Sequence, residues 1–413
     1  MSILAIILAV CLVGCTVPID TPTLPVEVEG KVDVPVVESI DYKEVGFNEF
    51  DSSLISFIDE KKVNENYMIS PLSFKYALGL AVLGANGETK DELYKAVGFT
   101  DFVEFNALND RMNKVEKNFN EYNESLKEYK WLSDEEKEDM KITFSIANSV
   151  WDVVGEMKDS YVSEVNEKLG AEGFKTSPDK VVNEVNSWVD KKTNSLIPIL
   201  LEDAPVDLGA VLVNTVYLKS SWFEEFNESI SPLNFTTYNN EKVEKEAINK
   251  TGNFKYYKDN DTELVILNLN GSVNIAYVLG SNENILSKLN NAKVDKEIYV
   301  EVPKMDIDTA LDKKELVDYL IDRGVEHAFL PTADFSNIAD SLYIGDIIQK
   351  TKIKTDEKGV EAAAATAIMM MKNTAFIEKE EPIKFVCDRP FSFYIYTETD
   401  GVNDLMFYGK YVK

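Results

Sequence analysis

The sequence predicts an α+β fold, because segments with the period of a helix and segments with the character of β-strands both recur along the chain. Residues 47–61 place aromatic and aliphatic side chains at helical spacing. Residues 211–218 form a run rich in β-forming residues, which suits a central strand covered on both sides. The 413 residues are 45% hydrophobic, which is enough for a large core, and they show no internal repeat. By length alone the chain could form two or three domains, although this prior is soft.

The composition argues against several classes of function. The net charge of −29 would repel nucleic-acid backbones and anionic membranes, so neither is an expected direct partner. The single histidine, His327, leaves almost no material for a metal cluster or a histidine-based catalytic triad. Cys387 is the only thiol in the body of the chain and is expected to be buried and inert. We therefore expect no catalytic residue, no metal and no cofactor.

The N-terminal segment indicates export. Ile3 to Val13 form an apolar run of about 11 residues, which is too short to span a bilayer. The run ends in Leu-Val-Gly-Cys, which resembles the lipobox of prokaryotic lipoproteins. This resemblance implies that residues 1–14 are a signal peptide and that Cys15 carries a lipid. An ordinary secretory signal with an incidental cysteine is the alternative.

Residues 15–45 are predicted to be an extended acidic tether. Pro18, Pro22, Pro25 and Pro35 are spread there among Val, Glu and Asp, which favours a semi-stiff chain over a folded element. Such a segment would hold a folded domain away from a membrane to which only the lipid is attached. We therefore expect an exported protein that is anchored at the cell surface or secreted.

Local signals place the first elements of the body. Residues 47–61 are expected to form an amphipathic helix, and residues 66–69 a short strand. Ser70 and Pro71 begin the next helix, because serine accepts hydrogen bonds from free N–H groups and proline suits the first turn. Residues 89–92, Thr-Lys-Asp-Glu, are interpreted as a capping box for a third helix.

The remaining elements follow the same two periods. Residues 101–141 are helical and rich in Lys and Glu, so we expect a solvated insertion, with a partner-binding arm as the alternative. Strands are expected at 144–151, 211–218, 264–269, 273–279, 298–302 and 342–353, and helices at 161–169, 181–193 and 311–322.

One stretch, residues 356–382, is compatible with both a helix and a strand. Its alanine run at 362–365 is an excellent helix by propensity. With a period of two, however, alternate residues form one small-to-apolar face, which comprises Val360, Ala362, Ala364, Thr366, Ile368 and Met370. Side chains this small could enter a narrow gap between existing strands, with Gly359 as the hinge. From the residues alone, a surface helix and a switchable strand are equally good.

The flanking residues resemble a known family. The run Glu357-Lys358-Gly359-Val360-Glu361-Ala362-Ala363-Ala364-Ala365-Thr366 closely resembles the reactive-loop hinge of inhibitory serpins. Further serpin-like motifs include Asn66, Ser70, Pro71 and Ser73 in a helix of the region called the shutter, and Asn214 and Trp222 in a strand leading to the region called the breach. The resemblance implies a serpin domain over residues 46–413 with a large central mixed β-sheet, further sheets, about eight or nine helices and an exposed reactive loop at 357–382.

The resemblance also implies a function. Inhibitory serpins are not enzymes but monomeric inhibitors of serine-type, and in some cases cysteine-type, endopeptidases. The target protease attacks the loop, and the cut loop then inserts into the main sheet before the acyl-enzyme can be hydrolysed. The hinge residues implied here are Glu357, Gly359, Val360, Glu361, Ala362, Ala363, Ala364, Ala365 and Thr366.

The scissile bond stays open among neighbouring residues. Counting the family's loop positions from Glu357 makes Asn373 the acyl donor, with Thr374 on the leaving side. A hinge one residue shorter makes it Lys372, which suits trypsin-like proteases. Met371 would suit elastase-like or subtilisin-like proteases.

The shutter differs from the usual family pattern. Many serpins carry a serine and a histidine where this chain has Gly345 and Gln349. Glutamine still donates and accepts hydrogen bonds, so Gln349 is counted with the shutter residues. This difference leaves one alternative function, a non-inhibitory serpin that acts as a surface binding protein.

Overall fold

The computed structural model describes residues 4–14, 46–205, 207–311, 313–360 and 381–413. Within these residues the helices are α1 (Glu49–Lys61), α2 (Pro71–Gly84), α3 (Gly87–Val97), α4 (Phe102–Ser125), α5 (Asp134–Met140), α6 (Asp159–Leu169), α7 (Val181–Lys192), α8 (Ile285–Asn291) and α9 (Lys313–Asp322). The strands are β1 (Leu4–Gly14), β2 (Tyr67–Ile69), β3 (Thr143–Asp152), β4 (Glu172–Lys175), β5 (Leu208–Ser221), β6 (Asn227–Glu228), β7 (Leu233–Thr236), β8 (Lys242–Lys245), β9 (Ala247–Gly252), β10 (Lys255–Lys258), β11 (Thr262–Leu269), β12 (Val273–Gly280), β13 (Ile298–Pro303), β14 (Asp306–Ala310), β15 (Leu342–Lys354), β16 (Gly359–Val360), β17 (Ile383–Val386), β18 (Phe391–Thr399) and β19 (Val402–Tyr411). The expected α+β class is confirmed.

Within the part of the chain that the structure describes, the strands form one large sheet and three smaller ones. The main sheet runs β14–β15–β1–β5–β3–β4, and β16 also pairs with β5. It is mixed, because β3 and β4 are parallel whereas β1 is antiparallel to both of its neighbours. A second sheet runs β10–β11–β12–β18–β19–β2, a third runs β17–β13–β9–β6, and β7 pairs with β8.

The main sheet is covered on both faces, which explains why β5 is buried along nearly its whole length. On one face, side chains of β5 join a large core that also contains α2, a helix whose every residue is buried. On the other face, Val211, Val213 and Tyr217 belong to a smaller core with Trp188 of α7.

The two predicted helix starts had different outcomes. At α2, Ser70 is the N-cap, its Oγ accepts from the N–H of Ser73 at 3.0 Å, and proline follows at the first position. The capping box at 89–92 is wrong, because α3 begins earlier, at Gly87. Thr89 instead uses its Oγ1 to accept from the N–H of Asp334 at 3.0 Å. The Thr89 hydroxyl, which the capping box would have used within the helix, is thus engaged in a tertiary hydrogen bond.

The solvated insertion expected at 101–141 is only partly present. Helix α4 places an apolar stripe that includes Phe105, Leu108 and Val115 in the large core. Arg111 of the same helix makes a buried ion pair with Asp404 of β19, with Nη2 2.8 Å from Oδ1. Only the segment around α5 is mostly exposed.

Most of the predicted signal peptide forms a strand of the main sheet. Residues 4–14 form β1 in the middle of the main sheet, between β5 and β15. Whether these residues are removed in the mature protein stays a prediction. Cys15 and the predicted tether lie outside the described residues.

Candidate functional site

The described start of the predicted hinge is attached to the end of β5. Gly359 and Val360 form β16 and pair with Ser221 and Ser220 in antiparallel register. Gly359 has φ +143°, and a Cβ there would lie 2.4 Å from the Cα of Ser221. Because real Cβ atoms do not approach backbone atoms so closely, only glycine fits this position without a shift of the strand.

Trp222 donates two hydrogen bonds to the residues that precede β16. Its backbone N–H donates to the carbonyl of Lys358 at 3.1 Å, and its indole Nε1 donates to the carbonyl of Asp356 at 2.9 Å. The N–H of Phe226 donates to the carbonyl of Glu357 at 2.8 Å. We call residues 356–360 together with residues 220–226 the hinge contact. Its hydrogen bonds to the backbone carbonyls of 356–358 hold the hinge regardless of the side chains there.

One ion pair adds a side-chain interaction to the hinge contact. Lys304 Nζ lies 2.6 Å from Glu357 Oε1, and Glu228 and Glu246 lie within 4 Å of the same ammonium. Partial burial tends to raise the pKa of Glu357, but the hydrogen bond and charge of Lys304 outweigh it and lower that pKa below its ordinary value. Glu357 is therefore ionised at neutral pH.

A buried polar network crosses the main sheet further along β5. Ser73 Oγ of α2 donates to Asn214 Oδ1 at 2.5 Å, and Asn214 Nδ2 donates to Asn148 Oδ1 of β3 at 2.9 Å. Asn148 Nδ2 in turn donates to the carbonyl of Leu169 at 2.8 Å. Each of these bonds satisfies a polar atom in the core, where an unpaired one would be costly.

A second part of this network involves Gln349, the residue that stands where many serpins have a histidine. Its side chain accepts from the N–H of Ser70 at 3.2 Å and donates to the Ser70 carbonyl at 3.1 Å. Ser70 Oγ donates to the carbonyl of Met406 at 2.7 Å. The amide thus joins β15 to the start of α2 with both of its polar ends satisfied. We call Ser70, Ser73, Asn148, Asn214 and Gln349 the buried polar network.

Gly345 has a separate geometric role in β15. The pairing of β1 with β15 skips one residue between Asp346 and Ile344, so Gly345 is the extra residue of a β-bulge. The position at which the sequence differs from the family pattern is therefore also an irregularity of the strand.

The structure brings together only some of the predicted site residues. Asn66 lies apart, where its Oδ1 accepts from the N–H groups of Val412 and Lys413 and so fixes the C-terminal end. The hinge from Glu361, through Ala362, Ala363, Ala364 and Ala365, to Thr366 lies outside the described residues, as do Met371, Lys372, Asn373, Thr374 and Cys15.

Two site residues were missed in the sequence. Asn148 could have been suspected, because it is a polar residue inside a predicted buried strand and an amide there needs a partner. Lys304 carried no such signal. It meets Glu357 only because β13 and the residues after β15 converge in space.

The remaining part of the site is the strand position between β5 and β15 in the main sheet, which we call the gap. Strand β1 fills it, pairing Leu4 to Val13 with β5 and Ala5 to Gly14 with β15. In this register residue 8 lies opposite both Asn214 and Gln349, so β1 passes between the two parts of the buried polar network.

The two residues considered for chemistry have structural environments. His327 Nδ1 lies 2.6 Å from Glu92 Oε1, and this hydrogen bond raises the pKa of the histidine. With Glu88 these residues are the only group of three possible metal ligands within the described part of the chain. Burial raises the pKa of the Cys387 thiol well above its ordinary value, as expected for an inert thiol. Among the described helices, none combines the length and the apolar character needed to cross a membrane.

Comparisons with known proteins agree with this geometry. A family model described as "Serpin (serine protease inhibitor)" matches residues 46–413. An uncharacterized serpin-like protein of Thermococcus kodakarensis is 28% identical over 374 residues, covering 84% of this chain and 80% of that protein. Serine protease inhibitor 88Ea of Drosophila melanogaster is 26% identical over 412 residues, covering 89% of each chain. The native structure of tengpin, a thermophilic serpin, matches with a TM-score of 0.69 at 22% identity, covering 91% of this chain and 95% of that one.

Proposed function

Because the chain belongs to the serpin family, we propose that it inhibits serine-type endopeptidases by covalent trapping, with cysteine-type proteases as a second target class. The observation that carries the proposal is the hinge contact. There β16 already pairs antiparallel with β5, and the sequence after it continues with four alanines. Nothing in this run would resist burial in the sheet by size or charge on the face that includes Val360 and Ala362.

The proposed reaction begins as ordinary proteolysis. The protease serine Oγ bonds to the carbonyl carbon of the scissile residue, the peptide C–N bond breaks, and the new amine takes the serine's proton through the protease histidine. The part of the loop before the cut stays bound to the protease as an ester. Entry of this part into the main sheet would drag the protease along and distort its active site, so that water no longer cleaves the ester.

The scissile bond is proposed to follow Lys372 or Asn373, with Met371 as a further acyl donor. These residues fit trypsin-like, elastase-like or subtilisin-like partners. The direct test mixes residues 47–413 with trypsin, elastase and subtilisin, and then combines denaturing gels with the mass of the released C-terminal peptide. A band at the summed mass and a peptide beginning at Asn373 or Thr374 are expected. Cleavage by all three without such a band would favour the non-inhibitory binding protein.

The hinge itself can be tested at Val360. Val360→Arg is expected to leave cleavage intact but to abolish trapping, because insertion would bury an unpaired charge. Val360→Thr is the matched control, since threonine is also β-branched and suits a strand. Summed-mass bands of equal intensity in both variants would contradict insertion of the hinge.

We also propose that the protein is exported and held at the cell surface through a lipid on Cys15. The lipobox-like sequence and the proline-rich tether support this location. Cys15→Ser is expected to shift the protein from the detergent phase to the aqueous phase on partitioning of cell extracts. Unchanged partitioning would favour the ordinary secretory signal.

A further inference from the structure

We infer that the gap between β5 and β15 is a binding site for an apolar strand, and that residues 4–14 of the same chain occupy it and block trapping until they are removed. The inference rests on the proposed function, because blocking has meaning only if the loop inserts. The occupant is the segment predicted to be the signal peptide.

The fit of β1 in the gap is specific in register and in packing. The strand is antiparallel to both neighbours, which gives it a ladder of backbone pairs on each edge. Val10 lies between Leu212 and Ile347 and is fully buried. Leu12 lies between Ala210 and Ile344 in the same way. All six of these side chains belong to the large core.

Strands β16 and β1 share one edge of β5. Val360 pairs with Ser220, and Leu4 pairs with Leu218, so only Lys219 separates the two on this edge. A strand that continued β16 in the same register would place residue 362 opposite Leu218 and residue 370 opposite Ala210. That stretch of β5 is the one that β1 occupies. The loop and the N-terminal strand therefore compete for a single site.

The end of β1 coincides with the predicted processing point. The strand ends at Gly14, and the lipobox-like sequence predicts cleavage immediately before Cys15. Cleavage there would separate the whole strand from the chain, so that only its noncovalent pairing would hold it and the loop could displace it. The unprocessed chain would thus be held inactive, and the exported chain would become able to trap proteases.

A cross-link tests whether β1 occupies the gap. Cys11 is paired with Val211 of β5, so Val211→Cys in the full chain places a second cysteine at the directly opposite register position, a spacing at which paired strands can be bridged by a disulfide. Val213→Cys is the matched control, because Val213 is opposite Ala9. Mild oxidation should link Cys11 to position 211 at least tenfold more than to position 213. Equal yields, or none, would overturn the inference.

A trapping assay tests the blocking. In the full chain, Val10→Asp places a charge in the core and should expel β1, whereas Val28→Asp adds the same charge in the tether. Val10→Asp should form at least tenfold more summed-mass complex with trypsin or elastase than the unaltered chain, and Val28→Asp no more than it.

The outcomes separate the two proposals. Equal trapping by the unaltered chain and by Val10→Asp would leave the proposed inhibition standing and overturn the blocking role. If no form of the chain traps a protease, the proposed inhibition fails, and the cross-link alone then supports or overturns the strand site.

Discussion

The hinge contact and the buried polar network lie on the same strand, β5, but they are built in opposite ways. The hinge contact depends mainly on backbone groups, and its side-chain interactions are the Trp222 indole bond and one partly exposed ion pair, Lys304 with Glu357. The network depends on side-chain amides and hydroxyls deep in the core, such as Asn214 with Ser73. Backbone bonds at a strand end can form and break locally, whereas buried side-chain bonds break only when the packing around them opens.

This difference in bonding suggests that the two regions of β5 have different roles. Under the proposed function, the hinge contact holds a segment that moves, so small local free energies of attachment suffice there. The network joins β5 and β15 of the main sheet to the start of α2 and would have to survive that movement. Changes in the network should therefore affect global stability, and changes in the hinge contact should affect local opening and trapping.

The largest effect is expected from Asn214→Ala. The variant removes the acceptor of Ser73 Oγ and the donor to Asn148 Oδ1 in the core, and it removes buried volume. We expect a loss of about 2–3 kcal/mol in the free energy of unfolding, measured by urea denaturation. Thr215→Val is the control, because Thr215 is also buried but its Oγ1 makes only a 3.5 Å contact. Equal losses in both variants would mean that the network does not stabilise the sheet.

An intermediate effect is expected from Gly359→Ala. The added Cβ would meet the backbone of Ser221, so the hinge should separate from β5 at a local cost of about 1–3 kcal/mol. The amides of Trp222 and Phe226 should then exchange hydrogen faster, while the urea midpoint changes little. Gly155→Ala is the control, because Gly155 also has positive φ (+82°) but no atom lies within 4 Å of its added Cβ. Unchanged exchange at Trp222 would contradict the close approach.

The smallest effect is expected from Lys304→Met. Both partners of the ion pair with Glu357 are partly exposed, so its loss should cost less than about 1 kcal/mol. Lys354→Met is the control, because its 3.1 Å pair with Asp306 is more exposed and lies outside the hinge contact. The Trp222 and Phe226 amides should lose protection in Lys304→Met and keep it in Lys354→Met.

The same ion pair predicts a pH dependence of the hinge. The pKa of Glu357 is lowered in the folded protein, so its contribution is fully present above the ordinary value of 4.5 and is lost as pH falls through the folded pKa. Amide protection at Phe226 should therefore decrease on acidification below pH 4.5 in the unaltered protein, and less so in Lys304→Met. An equal decrease in both would assign the titration to another group.

Features that depend on neighbouring residues were predictable from the sequence, whereas features that depend on contacts between distant residues were not. The start of α2 was predictable, because Ser70 and Pro71 act on groups within one turn of themselves. The capping box at Thr89 failed, because α3 already begins at Gly87, and the Thr89 hydroxyl accepts instead from Asp334, far along the chain. The polar role of Gln349 was expected from its chemistry, but its two bonds to the Ser70 backbone depend on how β15 packs on α2.

By itself the sequence determined the α+β class and the approximate bounds of the longer elements, because each depends on the period of nearby side chains, and the small-residue hinge stays a prediction. Only the tertiary structure decided that Lys304 meets Glu357, that Asn148 completes the buried polar network, and that residues 4–14 form a central strand. An apolar run of eleven residues contains no information about which pair of strand edges will accept it. That choice depends on a gap between β5 and β15, which exists only once both strands have been placed by the rest of the chain.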